Sequence, residues 1–224
     1  MSYNTGPKIV TDGLVLCLDA ADTNSYPRTG TVWYDQSGNG SNGTLTNGPT
    51  FSSANGGGIV FDGSNDYCLI QNSDSVNISG GEITLEAFIK VNNFGSAEAW
   101  IHKNLQYTIA FYPTTGGGYI TYADSSNWSY SSFGFHGLFL TNTYYHIVAT
   151  KINNVVTIYS NGSIIVSKSF GSSISTSSNN LYIGSFATSY YFNGSIYTTR
   201  LYNKALSADE VRRNYNATKG RFGL

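Results

Sequence analysis

Two glutamates in one strand-like segment are the first candidates for chemistry. In residues 81–88 (GEITLEAF), Glu82, Thr84 and Glu86 occupy alternate positions, which share one face of a β-strand. Two carboxyls about 5 Å apart, with separated pKa values, can hydrolyse a glycosidic bond with retention. However, residues four apart on a strand are separated by roughly 13 Å, and the position between the glutamates carries no acid. We therefore expect no catalytic residues here, and hydrolysis of glycosidic bonds stays only as an alternative function.

The histidines and cysteines form no recognisable catalytic or metal-binding arrangement. His102, His136 and His146 are far apart and have neither metal-ligand nor triad spacing. Cys17 and Cys68 each lie in a strand-like run, LVLCLD and DYCLI, which favours two buried thiols over a disulfide. We expect His146 to be a packed, hydrogen-bonded structural residue.

Calcium is the open question among cofactors. The oxygen-bearing candidates are Asp19, Asp22, Asp62, Asn65 and Asp66, but their spacings form no recognisable calcium loop. Asp62, within FDGSNDY, is better suited to capping a turn through its side chain. The expectation is therefore no cofactor and no metal, with calcium as the alternative.

Aromatic side chains in polar loops are the candidates for ligand contact. Sugars stack their apolar faces on aromatic rings while amides, carboxylates and hydroxyls bind their hydroxyl groups. The segment from Asp124 to Phe139 (DSSNWSYSSFGFHGLF) and the loop before the last strand both combine these residue types. The candidate residues are Asp124, Asn127, Trp128, Tyr130, Phe133, Phe135, Tyr190 and Tyr191. The same aromatics could equally belong to the core or to a subunit interface.

The composition indicates strands and argues against several partners. Only 11% of the residues are charged, against roughly 25% in an average protein, whereas the chain holds 18 Tyr and 25 Gly. Such a composition suits strands joined by tight turns. The formal net charge is -1 and there is no basic run, so nucleic acid is not expected as a partner. No apolar stretch approaches the roughly 20 residues that span a bilayer, so membrane insertion is not expected either.

Strand-like segments recur along the chain at the spacing of a β-sandwich. Gly13 to Leu18 is predicted as the first core strand, and Asp19 to Thr50 as a long ordered loop held by Trp33 and Tyr34. Eleven further strands are predicted at 58–61, 67–70, 83–91, 100–102, 107–112, 119–123, 144–152, 155–160, 163–170, 181–185 and 194–203. Asn153-Asn154 and Asn161-Gly162 predict two tight hairpins, since Asn and Gly tolerate positive φ.

A short helix is predicted only near the C-terminus. Ser207 and Glu210 have the spacing of a capping box, and Val211 and Tyr215 lie four apart on one face. We therefore divide the 224-residue chain into an arm (1–11), one sandwich (12–206) and a helix with its tail (207–224) packed on the sandwich.

Several motifs in a fixed order resemble one superfamily. They are DGLVLCLDAADTNSY, WYDQSGNGSNGTL, FDGSNDY, YYHIVATKINNVVTIYSNGSII and YFNGSIYTTRLYNKALSADEV, which span nearly the whole chain. Together they resemble the laminin G-like domains of the concanavalin A-like lectin/glucanase superfamily. The resemblance implies an all-β fold, a two-sheet antiparallel jelly-roll sandwich with a short C-terminal helix. In the glucanase branch the position of Thr84 is an Asp, so the catalytic set is incomplete here.

The opening motif and the ending NYNATKGRFGL further resemble domains in structural proteins of tailed bacteriophages. This resemblance implies a non-catalytic module on the virion surface, in a capsid decoration or a tail fibre. The expected partners are glycans or other virion proteins, and the expected assembly is a homo-oligomer. The alternatives are a bacterial lectin or adhesin, extracellular by a route without a signal peptide because MSYNTGPKIV lacks an apolar core, and a glucanase-type glycoside hydrolase.

Overall fold

Sixteen strands and a C-terminal helix make up the described part of the chain. The computed structural model describes residues 7–95, 98–114, 117–124, 135–171 and 173–224, with only the backbone of residues 114, 117–122 and 135–138. The strands are β1 (Leu14–Asp19), β2 (Val32–Trp33), β3 (Gly43–Thr46), β4 (Thr50–Ser52), β5 (Gly58–Asp62), β6 (Tyr67–Ile70), β7 (Glu82–Val91), β8 (Glu98–Lys103), β9 (Tyr107–Thr114), β10 (Gly117–Asp124), β11 (Phe135–Phe139), β12 (Tyr144–Ile152), β13 (Val155–Ser160), β14 (Ser163–Ser169), β15 (Leu181–Ile183) and β16 (Asn193–Tyr202). Helix α1 spans Ala208–Thr218, and 3-10 turns span Ala54–Gly56, Asp74–Val76 and Lys219–Phe222. Within these described ranges no helix is long and apolar enough to cross a membrane.

The strands form two antiparallel sheets that pack face to face as a jelly-roll sandwich. Sheet A has the order β14-β13-β12-β7-β16-β5-β4, and β1 pairs with the second half of β16. Sheet B has the order β11-β10-β9-β8-β15-β6-β3-β2. This architecture confirms the two-sheet antiparallel jelly roll that the family resemblance implied.

Alternation along the central strands separates the core from the outer faces. On β7, Ile83, Leu85 and Ile89 enter the core between the sheets, whereas Glu86 and Phe88 lie on the outer face of sheet A. On β9, Ile109 and Phe111 point into the same core. Each sheet therefore has one face in the core and one face that must be covered or exposed to solvent.

The C-terminal segment covers the outer face of sheet A. The predicted capping box is present, because Glu210 N donates to Ser207 Oγ (3.3 Å) and Ser207 N donates to Glu210 Oε2 (2.8 Å). Val211 packs with Val148 and Tyr202 of the sheet. Beyond the helix, the Phe222 ring stacks on Phe88 with centroids 3.9 Å apart. Helix α1 and Phe222 thus cover part of the outer face of sheet A.

Two predicted loops contain strands. The segment predicted as a loop from Asp19 to Thr50 includes β2 and β3, which pair with each other. Trp33 is fully buried there, whereas Tyr34 is 43% exposed and holds the segment through its backbone, which exchanges hydrogen bonds with Ser25. The other, the aromatic segment from Asp124 to Phe139, ends in β11, which pairs with β10. Because these segments are rich in Gly, Asn and Ser, the sequence pattern did not predict their short strands.

The two cysteines are separate buried thiols, as the strand-like runs around them predicted. Cys68 enters the core between the sheets, and burial raises the pKa of its thiol to far above the ordinary range. Cys17 pairs in register with Arg200 on the outer face of sheet A. Burial raises the pKa of Cys17 as well, although the Arg200 charge opposes this effect. Neither thiol is therefore an ionised nucleophile.

Candidate ligand-binding site

The paired glutamates of β7 do not form a hydrolytic site. Glu82 is exposed at the start of the strand and accepts a hydrogen bond from Ala205 N (3.1 Å). Thr84, between them, is fully buried and bonds to the backbone of Lys204 and Leu206. Glu86 is also fully buried, beneath the C-terminal helix. The two carboxyls therefore share a face of the strand but no common cleft.

Glu86 is held as a buried anion by three side chains. Its carboxylate accepts hydrogen bonds from Arg200 Nη1 and Asn214 Nδ2 (2.7 Å), and lies 3.0 Å from His146 Nε2. Burial by itself raises the pKa of Glu86, but the Arg200 charge and the His146 and Asn214 contacts outweigh it and lower the pKa to about 2. His146 is thus the packed, hydrogen-bonded residue that was expected. This cluster joins strands β7, β12 and β16 to helix α1 and has a structural role.

The calcium candidates already have protein partners. Asp19 is bound by Arg221 Nη1 at 2.9 and 3.1 Å, and Asp22 accepts from Asn24 N (2.9 Å). Asp62 caps its turn through Ser64 N (2.7 Å), and Asp66, buried, accepts from Asp62 N (3.1 Å). Burial raises the pKa of Asp66. Across the ranges that the structure describes, no three His, Cys, Asp or Glu side chains come together in a cluster that could hold a metal ion.

The predicted aromatic loop lies largely outside the described residues. The residues that are not described include Asn127, Trp128, Tyr130 and Phe133. Phe135 is described only through its backbone, as the first residue of β11. Asp124 is described, and it is fully buried. Its carboxylate lies 2.7 Å from Lys151 Nζ of sheet A. The alternation of β10 turns this side chain into the core, so in this structure it is an inter-sheet ion-pair residue without access to a surface ligand.

A pocket of about 280 Å³ opens on the outer face of sheet B. It is lined by His102, Asn104, Tyr112, Phe186, Ala187, Ser189 and Tyr190. Ala99 and Ala110 lie opposite each other on β8 and β9, and Phe186 packs against both. Because these two strand positions carry only methyl groups, the loop between β15 and β16 can fold down onto the sheet. The candidate site therefore combines strands β8 and β9 with the loop of residues 184–192.

The loop that carries Tyr190 is tightly cross-linked by its own hydrogen bonds. Phe186 and Ser189 exchange backbone hydrogen bonds of 2.9 and 3.0 Å, and Phe192 N donates to Gly184 O (2.8 Å). Ser185 Oγ donates to Ala187 O (2.6 Å). These bonds fix the loop at both its tip and its base, so the pocket wall is formed before any ligand arrives.

Two residues of this loop have a left-handed backbone although neither is glycine. Ala187 has φ 52° and Tyr190 has φ 51°. An L-residue in this region costs roughly 1–2 kcal/mol, and such strain tends to occur at functional sites. The Tyr190 side chain is 56% exposed, and its ring meets Phe186 edge to face with centroids 5.9 Å apart. An exposed aromatic ring is thereby held in a fixed position at the pocket.

His102 forms a neutral wall of the pocket. Its ring is buried and tilted against Phe186 with centroids 4.9 Å apart, and Nδ1 lies 3.1 Å from Thr108 Oγ1. Burial lowers the pKa of His102 to about 4. The imidazole is therefore uncharged at neutral pH and can take part only in neutral hydrogen bonds.

Further aromatics extend the surface across sheet B. Tyr182 on β15 pairs in register with His102, and its ring lies 5.7 Å from that of Tyr67 on β6. The neighbouring residues Cys68, Leu181 and Ile183 enter the core, so the two tyrosines lie on the outer face. Both are half-buried. A row of aromatic side chains thus runs over four adjacent strands from β6 to β9.

The sequence had singled out part of this site. Tyr190 was a predicted ligand contact and lines the pocket, whereas Tyr191 is half-buried and does not. His102, Tyr112 and Phe186 were not predicted as ligand contacts. The alternation of YTIAFY on β9 could have placed Tyr112 outside the core, but the position of Phe186 depends on the folding of its loop.

The fold is a two-sheet antiparallel jelly-roll sandwich, with a C-terminal helix on the outer face of sheet A and an aromatic pocket on sheet B. The family model of the Concanavalin A-like lectin/glucanases superfamily matches residues 62–212, and the chain belongs to this superfamily. No curated protein matches the chain in sequence.

Solved structures share the fold at low sequence identity. Domain 4 of AbnA, an extracellular GH43 arabinanase from Geobacillus stearothermophilus solved with arabinotriose, is 18% identical with a TM-score of 0.70, and the match covers 90% of this chain and 98% of that one. The binding domain of Paraclostridial Mosquitocidal Protein 1 is 19% identical with a TM-score of 0.69, covering 92% and 52%. A Trypanosoma rangeli sialidase mutant displaying trans-sialidase activity is 15% identical with a TM-score of 0.67, covering 95% and 34%. The chain thus spans about half of the toxin domain and about a third of the sialidase, and these likenesses concern the fold.

Proposed function

We propose that the chain is a non-catalytic glycan-binding module whose ligand lies in the pocket on the outer face of sheet B. The observation that carries the proposal is the exposed Tyr190 ring, held by a strained and hydrogen-bonded loop beside Tyr112. A ring fixed in this way can stack on the apolar face of a sugar with little loss of side-chain entropy.

The polar groups of the pocket suit sugar hydroxyls. Asn104 and Ser189 supply an amide and a hydroxyl at the pocket wall, and the phenol groups of Tyr112 and Tyr190 can donate or accept. The volume of about 280 Å³ is near the lower end of the range for small-molecule sites. The pocket therefore fits one or two sugar rings, with the rest of a longer glycan on the open surface. Domain 4 of AbnA, which shares this fold, was solved with arabinotriose, and this supports the proposal.

The non-catalytic part of the proposal rests on the positions of the acids. Glu86 is neutralised by Arg200 beneath the C-terminal helix, and Glu82 lies at the far end of the same strand. The competing function is a glucanase-type hydrolase, since the superfamily to which the chain belongs includes glucanases. Incubation with β-glucans, followed by a reducing-end assay, separates the two, because the binding module releases no reducing ends.

For the biological setting we propose the surface of a bacteriophage virion, in a capsid decoration or tail fibre. The support is the resemblance of the opening and closing motifs to phage structural domains. A bacterial lectin or adhesin is the alternative setting. We expect the neighbouring genes to encode capsid and tail proteins. We also expect an antibody against this chain to label intact particles. Labelling of bacterial cells without any particle would favour the adhesin.

The binding site itself is tested by a pair of tyrosine variants and a matched control. We expect Tyr190→Ala and Tyr112→Ala each to weaken glycan binding by about tenfold, equivalent to about 1.4 kcal/mol. Tyr34→Ala is the control, because Tyr34 is also an exposed tyrosine (43%) but lies outside the pocket. The measurement is calorimetric titration with a ligand identified on a glycan array. Equal affinities of all three variants would refute the placement of the site.

A further inference from the structure

Sheet B contains only three formally charged residues, and all three are buried. They are Glu98, Lys103 and Asp124, whose exposures are 2%, 0% and 0%. Asp124 is paired with Lys151 inside the sandwich. Lys103 Nζ donates to Asn72 Oδ1 (2.8 Å) and to the carbonyls of Ser177 (3.0 Å) and Asn179. The described strands of sheet B therefore present no formal charge on their outer face.

Three long stretches of the sequence around the pocket are also free of charged residues. Residues 105–123, 125–150 and 169–199 contain no Lys, Arg, Asp or Glu. The exposed charges lie elsewhere, for example on helix α1, where Asp209 and Arg212 form an exposed ion pair. The pocket belongs to this uncharged surface, because its residues fall in or beside these segments.

From this arrangement we infer that the site binds uncharged oligosaccharides and rejects glycans whose recognition depends on a carboxylate or sulfate group. The inference rests on the proposed function and specifies its ligand class. An acidic sugar placed in the pocket loses water around its charge, and the described lining offers neither Lys nor Arg to compensate. A neutral sugar needs only hydroxyl partners and stacking surfaces, which the pocket has.

Histidine does not replace the missing cation. Because burial lowers the pKa of His102 to about 4, its ring is neutral at neutral pH. No Lys, Arg, Asp or Glu is among the described residues that line the pocket. Nearby, Glu98 accepts a hydrogen bond from Asn193 N at the base of the loop, and Lys103 is enclosed by its three acceptors. The ligand therefore meets a neutral surface across a wide pH range.

The length of the aromatic row indicates an oligosaccharide instead of a single sugar. From Tyr67 on β6 to Tyr112 on β9 the row crosses three strand spacings, or at least about 14 Å. This distance exceeds the length of one pyranose or furanose ring. A chain of several neutral sugars can therefore lie over Tyr182 while one unit occupies the pocket.

The experiment compares matched glycans that differ only in charge. The intact protein is titrated with neutral arabino-, gluco- and galacto-oligosaccharides, with sialyllactose against its methyl ester, and with oligogalacturonate against its methyl ester. We expect binding within the neutral set, at least about tenfold weaker binding of each acidic partner, and less than about twofold change between about 0.05 and about 0.5 M salt. Selective binding of the acidic members would overturn the inference while upholding a glycan function. Binding to neither class would overturn the proposed function itself.

A charge-insertion variant tests the same inference from the other direction. Ser189→Arg places a cation in the pocket, and Thr188→Arg places one on the same loop away from the pocket lining. We expect Ser189→Arg alone to gain affinity for the acidic member of each pair, with melting temperatures confirming that both variants fold. An equal gain in both variants, or no gain in either, would show that charge at the pocket does not govern ligand choice.

Discussion

The Glu86 carboxylate and the Arg200 guanidinium form an ion pair that is buried between sheet A and the C-terminal helix. The two residues are neighbours in the register of β7 and β16, although 114 positions separate them along the chain. Asn214 of the helix donates to the same carboxylate. The ion pair therefore fixes the helix to the sheet.

Removal of the Glu86 charge should destabilise the protein. We expect Glu86→Gln to lower the free energy of unfolding by about 3 kcal/mol at neutral pH, because Arg200 would remain buried without its counter-charge. Glu82→Gln, on the same strand but exposed, is the control and should change it by less than about 1 kcal/mol. Urea denaturation measures both.

The same carboxyl should make stability sensitive to acid. The pKa of Glu86 is lowered to about 2 in the folded state, below its ordinary value of 4.5. Its contribution is thus complete above pH 4.5 and is lost as the pH falls towards 2. The difference between wild type and Glu86→Gln should shrink over this interval, and a constant difference would contradict the assignment.

Glu98 should have the opposite dependence on pH. Burial raises its pKa to about 8, although the backbone N–H groups of Asn193 and Gly95 oppose the effect. The folded state therefore holds this proton more tightly than the unfolded chain, and the resulting stability is full below pH 4.5 and is lost as the pH rises through 8. We expect Glu98→Gln to be more stable than wild type at pH 9, by up to about 5 kcal/mol. Thermal unfolding at pH 6 and pH 9 tests this, and an unchanged pH profile would count against it.

Loss of the charge on one partner of the buried Lys151–Asp124 ion pair should lower the free energy of unfolding. Asp124→Asn leaves a buried ammonium without its carboxylate and is expected to reduce stability by about 3 kcal/mol. The exposed ion pair on the helix provides the control, since Asp209→Asn should cost less than about 1 kcal/mol. Replacement of both partners, Lys151→Met with Asp124→Leu, should recover much of the loss. If the double variant were no more stable than Asp124→Asn, an apolar pair would not be an adequate replacement.

Relief of the backbone strain at Ala187 should raise the free energy of unfolding. Glycine adopts a positive φ without the steric cost that an alanine methyl imposes, so Ala187→Gly should stabilise the protein by about 0.5–1 kcal/mol. Ala217→Gly in helix α1 is the control and should destabilise by about 1 kcal/mol. Losses of the same size in both variants would show that Ala187 is not strained.

Local features of the fold could be predicted from the sequence because their signals lie within a few residues. The turns at Asn153-Asn154 and Asn161-Gly162 form the two predicted tight hairpins, and both Asn153 and Asn161 have positive φ. The capping box of the helix follows from Ser207 and Glu210. In these cases the preferences of single residues and the tertiary structure agree.

Features that depend on pairing between distant strands could not be predicted. The sequence shows that Glu86 shares a strand face with Glu82, but not that this face lies under a helix opposite Arg200. Likewise, nothing in the composition of the loop reveals that Ala187 and Tyr190, which are neither Gly nor Asn, take a left-handed backbone. The lining of the pocket depends on distant strand pairing and on the backbone of the loop. This explains why Tyr190 is the only aromatic residue of the lining that the sequence analysis named as a candidate ligand contact.

Helix α1 and Phe222 cover part of sheet A, so the two outer faces of the sandwich differ. The outer face of sheet A is the back of the domain, and the outer face of sheet B is its front. The front has a cavity beside aromatic rings at the strand surface, so a polymer can approach from that direction and lie flat against it. Copies of this domain arrayed with their backs inward would all offer the same face, and many weak contacts could then add up to firm attachment.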